Sequence, residues 1–175
     1  MTTIPAWVDG RLTPVDKLDA HVRGLRHKAV SVFVLSGDRL LIQQRAAGKY
    51  HTPGLWANTC CTHPHWGEGA EDCARRRLEE ELGITGLALT PRGEVEYRAD
   101  VGGGLLEHEV VEIFTADAAP TLPAAPNPDE VQAVEWVPLR DLDARIARSP
   151  AQFTPWLRIY LERHRDTIFG DLAQA

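Results

Sequence analysis

The sequence predicts a mixed α/β domain in which a partly antiparallel sheet is flanked by helices. Three observations predict it. Two apolar, β-branched runs, Ala29–Leu35 and Arg39–Gln44, are separated by Ser-Gly-Asp, the pattern of a β-hairpin. Glu71–Leu82 contains neither Gly nor Pro, and Gly83 follows it as the residue that ends a helix in a left-handed turn. Strands and helices then mix along the chain without a regular βαβ alternation, so the sheet cannot be wholly parallel.

The remaining elements follow in order. Lys49–His65 carries Pro, Gly, Asn and Thr with little periodicity and reads as a long loop, or a loop plus a short strand. A loop of that length inside a compact domain is often functional. Leu105–Thr115 alternates and then turns β-branched, which predicts a strand. The Ala- and Pro-rich stretch Ala116–Pro128 predicts a loop, and Val131–Val137 a further strand. Pro138–Ala147 and Thr154–Asp171 read as helices, the second with Pro155 in its first turn. No repeat at a solenoid period is visible, so residues 1–175 read as one domain.

Composition bounds the function. The chain has 175 residues, 43% hydrophobic and 25% charged, the balance of a globular protein. At this length roughly 70% of the unfolded surface is buried on folding, so no disulfide staples are needed. A net charge of −6 and a pI near 5.6 argue against a nucleic-acid partner held by phosphate contacts. There is no basic face for an acidic membrane. The longest apolar runs are strand-sized, and the N-terminus lacks a secretory pattern. Cys60, Cys61 and Cys73 are too few and too clustered for a disulfide framework, so a cytoplasmic location with free thiols is expected. The oligomeric state leaves no mark.

Four groups of residues carry candidate chemistry. On the helix, Glu80 and Glu81 lie one turn beyond Arg76 and Arg77, with Glu68 in the loop before them. A solvated acidic helix is the bland reading. The functional one is that loop and helix point several carboxylates at one place, where Mg²⁺ would join them beside a phosphate. Upstream, Cys61 lies two residues from His63 in a loop with few apolar neighbours; an exposed thiol beside a cation would have a depressed pKa. Cys60 and Cys73 read as small core residues. Strand alternation puts Glu107 and Glu109 on one face, either in open solvent or around a shared cation. Finally, His21 and His27, taken with His63, Glu107 and Glu109, offer three imidazoles and two carboxylates from three segments. Imidazole suits Zn, Mn or Fe, and carboxylates suit Mg or Mn. His51, His65, His108 and His164 read as surface or structural residues.

The run Glu68–Ile84 resembles the Nudix box, a loop–helix signature whose glutamates bind Mg²⁺ beside a diphosphate. Thr62 stands where that box has its first Gly, and Arg77 where it has the Glu of an Arg-Glu pair. From about Lys17 to Trp156 the chain resembles the type I isopentenyl diphosphate isomerases of the Nudix superfamily. The resemblance rests on Arg-His-Lys-Ala-Val-Ser-Val-Phe, Gln-Gln-Arg-Ala-Ala-Gly-Lys, Pro-Gly-Leu-Trp-Ala-Asn-Thr-Cys-Cys-Thr-His-Pro, Glu-Tyr-Arg-Ala, Leu-Glu-His-Glu-Val and Phe-Thr-Pro-Trp. The Cys and His of the third segment are absent from ordinary Nudix hydrolases.

The resemblance implies interconversion of isopentenyl and dimethylallyl diphosphate, through protonation of an alkene to a tertiary carbocation and loss of a different proton. It implies that Cys61 and Glu109 act from opposite faces of the substrate, either one delivering the first proton. Tyr97 would hydrogen-bond near the acid. Trp156 would stabilise the cation with its π face, an interaction of about 0.5–2 kcal/mol. His21, His27, His63, Glu107 and Glu109 would hold a divalent ion, Mn²⁺, Zn²⁺ or Mg²⁺. Glu81 would hold a second ion, Mg²⁺, on the substrate diphosphate, which Lys17, Arg45, Lys49 and Arg77 would surround. From their position in the chain, not from the resemblance, the segments before Lys17 and after Trp156 are expected to close over the pocket. Two other readings compete: a Nudix pyrophosphohydrolase acting on a diphosphate, and a non-catalytic module whose histidines hold a structural metal.

Overall fold

The computed structural model describes residues 2–170 and 172. The chain opens with a hairpin, β1 (Thr3–Val8) and β2 (Arg11–Asp16), followed by the short helix α1 (Lys17–Val22). Asp16 caps α1 by accepting from the amides of Leu18 and Asp19, at 3.0 and 3.1 Å. Next come β3 (Arg26–Ser36), β4 (Arg39–Arg45), two short strands β5 (Trp56–Ala57) and β6 (Cys60–Thr62), and helix α2 (Ala70–Leu82). A long hairpin of β7 (Thr90–Gly102) and β8 (Leu105–Asp117) leads to β9 (Val131–Pro138). The chain ends with α3 (Leu139–Arg148), a 3₁₀ turn at Pro150–Gln152, α4 (Pro155–Arg163) and α5 (Arg165–Phe169).

The organising strand is β3. It pairs in parallel with β8 along one side, and antiparallel with β1, β6 and β4 in succession along the other. β9 and β5 extend the sheet beyond β4. β3 is buried on both faces, which explains its near-continuous apolar run. Ala29, Phe33 and Leu35 enter one core with Trp156, Tyr160 and Phe169, under α3, α4 and α5. Val30, Val32 and Val34 enter the other with Cys73, Leu78 and Leu82 of α2. The helices-on-both-faces prediction therefore holds, as do the hairpin, the α2 helix and its left-handed Gly83 at φ 64°.

Several sequence expectations change. β1, β2 and β7 were not predicted. In β7 only alternate residues such as Val95 and Tyr97 are buried, and Pro91 and Gly93 accompany a register shift that hides the strand pattern. The predicted helix Thr154–Asp171 is two helices, because His164 leaves helical geometry at φ −126°. The break lets Phe169 pack edge-on to Phe33 at 5.5 Å; Asp171 lies outside the described residues. The segment before Lys17, expected as a covering segment, is regular structure. It is a strand pair with its own small core of Ile4, Ala6, Val15 and Ala20, registered to β3 through Ala6 and His27. Its structural effect is to deliver α1 to the end of β3.

Candidate active site

Register places the side chains. Tyr97 on β7, Glu109 on β8 and His27 on β3 are directly paired across three adjacent strands, so they project from one face in a row. Glu107 is two residues from Glu109 and shares that face. On the other flank of β3, Ser31 pairs with Cys61 of β6. The result is a narrow cleft whose walls include Cys61, Tyr97, Glu107, Glu109 and Trp156 at one end, and Lys17, Arg45, Lys49, Arg77 and Glu81 at the other. His63 lines it too. His21 and His27 are fully buried behind it, with ring centres 5.1 Å from that of His63.

At the imidazole–carboxylate end, the Nδ1 atoms of His21 and His27 sit 2.6 and 2.7 Å from the carbonyl oxygens of Lys17 and Leu25. A carbonyl only accepts, so Nδ1 bears a proton in each ring, and Nε2 is the nitrogen left to meet a cation. Both Nε2 atoms are buried without a hydrogen-bond partner. Burial and the neighbouring His27 lower the His21 pKa to about 4, so the ring is a neutral donor at pH 7. His63 turns Nε2 toward Glu109 Oε1 at 2.8 Å, and burial holds its pKa well below the usual imidazole range. His21, His27, His63 and Glu109 each offer a donor atom within 4.8 Å of the others. Buried lone pairs facing a carboxylate fit a divalent cation. At His63 the Nε2 proton shared with Glu109 is the one a cation would displace.

Glu107 and Glu109 are 3% and 4% exposed, which removes the open-solvent reading. The Tyr97 hydroxyl lies 2.7 Å from Glu107 and 2.8 Å from Glu109. One phenolic proton serves two carboxylates, a geometry that needs a second proton on the pair or a cation beside it. Burial and the charge of Glu109 push Glu107 well up. For Glu109 burial pushes the same way but is outweighed by His27 and His63, which hold it well down.

Cys61 departs from its expected state. It is half-buried on β6 rather than exposed in a loop, and burial pushes its thiol up despite the hydroxyl of Ser31 at 3.1 Å. It donates to Asn58 Oδ1 at 2.9 Å. Cys61 is thus a neutral thiol at pH 7. Ser31 in turn meets the Tyr160 hydroxyl at 2.9 Å.

The basic end is crowded with cations. Burial, then Lys49, Arg77 and Arg45, lower the Lys17 pKa to about 8. Arg77 pairs with Glu81 at 2.6 Å and Glu80 at 2.8 Å, and Lys49 pairs with Glu130. The Nε donors of Arg45 and Arg77 are buried without partners. Glu81 also accepts from Gln43 Nε2 at 2.9 Å. The carboxylates of the α2 entrance do not converge as expected: Glu68 is held by Arg76 at 2.6 and 2.8 Å and Glu80 is taken by Arg76 and Arg77, so only Glu81 lines the cleft.

Sequence reasoning missed several residues here. Ser31 had a signal, a hydroxyl inside an apolar strand run. Gln43, Asn58 and Glu130 had none. His51, expected at the surface or in a structural role, is 5% exposed and lines the cleft beside Tyr50. Cys73 is a core residue as expected, whereas Cys60, equally buried, also lies 3.6 Å from Glu81.

Comparison with known proteins gives a consistent result. The NUDIX domain family matches residues 25–157. A protein of Cereibacter sphaeroides named isopentenyl-diphosphate Delta-isomerase is 67% identical over 169 residues, covering 97% of this chain and 96% of its own length. One of the same name from Roseobacter denitrificans is 66% identical over 170 residues, 97% of each chain. Among solved structures, a Deinococcus radiodurans protein superposes with a TM-score of 0.67 at 19% identity, covering 98% of this chain and 95% of its own. A MutT NUDIX hydrolase from Burkholderia pseudomallei gives 0.61 at 28% identity, covering 79% and 97%. Among the described residues no helix is long and apolar enough to cross a membrane.

Proposed function

The chain belongs to the isopentenyl-diphosphate Delta-isomerase family within the NUDIX fold, and on that premise we propose how its cleft interconverts isopentenyl and dimethylallyl diphosphate. The observation that carries the proposal is that a neutral thiol, a buried carboxylate pair and four cations line one cleft. Lys17, Arg45, Lys49 and Arg77 hold the diphosphate, and the Nε donors of Arg45 and Arg77, which have no partner in the protein, are available to its oxygens. Arg77, standing where a hydrolase would place a metal-binding Glu, binds the diphosphate as a handle rather than cutting it.

The handle sets the alkene between Cys61 and Glu109. An unactivated alkene is a weak base, so the acid must reach the terminal carbon in a site without competing water. One of the two groups gives a proton to that carbon. The positive charge develops on the tertiary carbon beside the Trp156 ring. The other group takes a proton from the neighbouring carbon, so the substrate keeps its charge and proton count, and return of a proton from the second group to the first, by exchange with solvent, resets the pair. Tyr97, bonded to both Glu107 and Glu109, keeps the carboxylate oriented and tunes its proton affinity. His21, His27, His63, Glu107 and Glu109 would hold a divalent ion, Mn²⁺, Zn²⁺ or Mg²⁺, and Glu81 an Mg²⁺ beside the diphosphate. Bound there, such ions neutralise buried carboxylate and phosphate charge.

The test is turnover of isopentenyl diphosphate in D₂O with Mg²⁺, followed by NMR. Deuterium should enter the methyl and allylic positions of dimethylallyl diphosphate. Cys61→Ala and Glu109→Gln should each lower that rate by about a thousandfold or more, as for loss of a general acid or base. Unlabelled substrate from folded, metal-loaded protein would defeat the proposal; released phosphate would favour hydrolysis.

A further inference from the structure

The His51 imidazole is buried in the cleft, and nothing above assigns it a role. It sits between β4 and β5 in a turn with an unusual backbone. Thr52 has φ 46°, a left-handed conformation that β-branched residues rarely adopt. Arg45 secures the turn, donating Nη2 to the His51 carbonyl at 3.1 Å and accepting from the Gly54 amide at 3.1 Å. The strained turn delivers an inward ring, edge-on to Trp156 with centres 5.8 Å apart.

The ring is arranged like those of His21 and His27. Its Nδ1 is anchored locally, 2.9 Å from the Thr52 hydroxyl, which can accept from Nδ1–H. Its Nε2 points at Glu107 Oε1 from 3.4 Å. That separation is long for a hydrogen bond. It is close to the roughly 3 Å between neighbouring donors on one ion with bonds near 2.1 Å. The His27–Glu109 pair shows the same 3.4 Å, whereas His63 is at hydrogen-bond distance. His21, His51 and Glu107 each offer a donor atom within 4.8 Å of the others, and the Nε2 of His21 is buried and unpartnered.

We propose that His51 is a fourth imidazole donor to the divalent-ion site, joining it through Glu107 and through His21, which both donor groups share. This rests on the reading that the histidine–carboxylate cluster holds an ion. An added imidazole favours transition-metal ions over Mg²⁺, so His51 sets ion selectivity.

The test uses metal-free protein without substrate, with Co²⁺ as a spectroscopic probe and calorimetry for Zn²⁺ and Mg²⁺. His51→Ala should weaken Co²⁺ and Zn²⁺ binding about tenfold or more, change the visible Co²⁺ spectrum, and alter Mg²⁺ binding less than twofold. Added imidazole should return the Co²⁺ spectrum toward that of the wild type. His51→Gln, which keeps much of the side-chain volume, should lose selectivity equally; circular dichroism checks that both variants fold. Wild-type affinities and spectrum in folded His51→Ala would overturn the assignment and leave His51 as a wall for Trp156. Failure of the wild type to bind Co²⁺ would overturn the ion site itself, and the part of His51 with it.

Discussion

The two ends of the cleft present opposite chemistry. At one end Lys17, Arg45, Lys49 and Arg77 arrive from a helix, a strand, a loop and a second helix, and two guanidinium Nε donors remain unmet. At the other, two imidazole Nε2 lone pairs and two carboxylates converge on one space. The first arrangement suits an anion and the second a cation. Neither is favourable by itself, because buried polar groups without partners cost stability. Both are held by strands and helices whose large apolar cores lie elsewhere. The contrast teaches that diphosphate binding and proton transfer can be broken separately.

The largest separation should come from reversing a charge at the basic end. Arg77→Glu would set a new carboxylate beside Glu81 and near Glu130, which the native guanidinium meets at 2.6 and 3.4 Å. Removing one partner of a buried, hydrogen-bonded charge costs about 2–5 kcal/mol. Affinity for Mg²⁺-pyrophosphate should therefore fall by about a hundredfold or more in calorimetry. Co²⁺ binding at the opposite end should stay within about twofold. Loss of both together would mean that the two ends are one unit.

A smaller effect, of opposite selectivity, is expected from Tyr97→Phe. The variant keeps the ring that packs edge-on to Tyr160 at 5.6 Å and removes only the hydroxyl shared by Glu107 and Glu109. A hydrogen bond to a charged group contributes about 1.5–3 kcal/mol, so the isomerisation rate should drop roughly ten- to a hundredfold. Pyrophosphate affinity should be unchanged. A rise in KM with kcat intact would contradict the placement of Tyr97 on the proton-transfer side.

The ends also differ in how far the sequence revealed them. Alternation alone put Glu107 and Glu109 on one face, and the apolar run of β3 announced a strand. Those signals are local, because side-chain direction in a strand follows from position. The cations were visible only through family resemblance, since no spacing relates residues 17, 45, 49 and 77. His51 stayed hidden because its inward direction depends on the left-handed turn at Thr52, which tertiary contacts impose. The β1–β2 hairpin was equally silent: outside Ile4, Pro5, Ala6 and Val15 it buries little. The split of the last helix at His164 had no Pro or Gly to mark it.

The subtlest way to sharpen the contrast is pH. Lys17 is held at about 8 by burial and by its three cationic neighbours, well below an ordinary lysine. Below that pH it is charged and contributes fully to holding an anion. Between about 8 and 10.5 it is neutral in the free protein, although an ordinary lysine there would still be charged. Binding pyrophosphate favours the ammonium form, so above pH 8 association must take up a proton. By linkage the affinity then falls by up to about tenfold per pH unit. Lys17→Arg keeps its charge throughout this range. Calorimetry in buffers of different ionisation enthalpy should show proton uptake near pH 9 that is larger in the wild type than in Lys17→Arg. The ionisation of pyrophosphate is common to both and cancels in the difference. Equal uptake would place the titrating group elsewhere. The expected excess would show that crowding of cations sets the alkaline limit of the diphosphate end, while the imidazole end, with His21 near 4, is already neutral there.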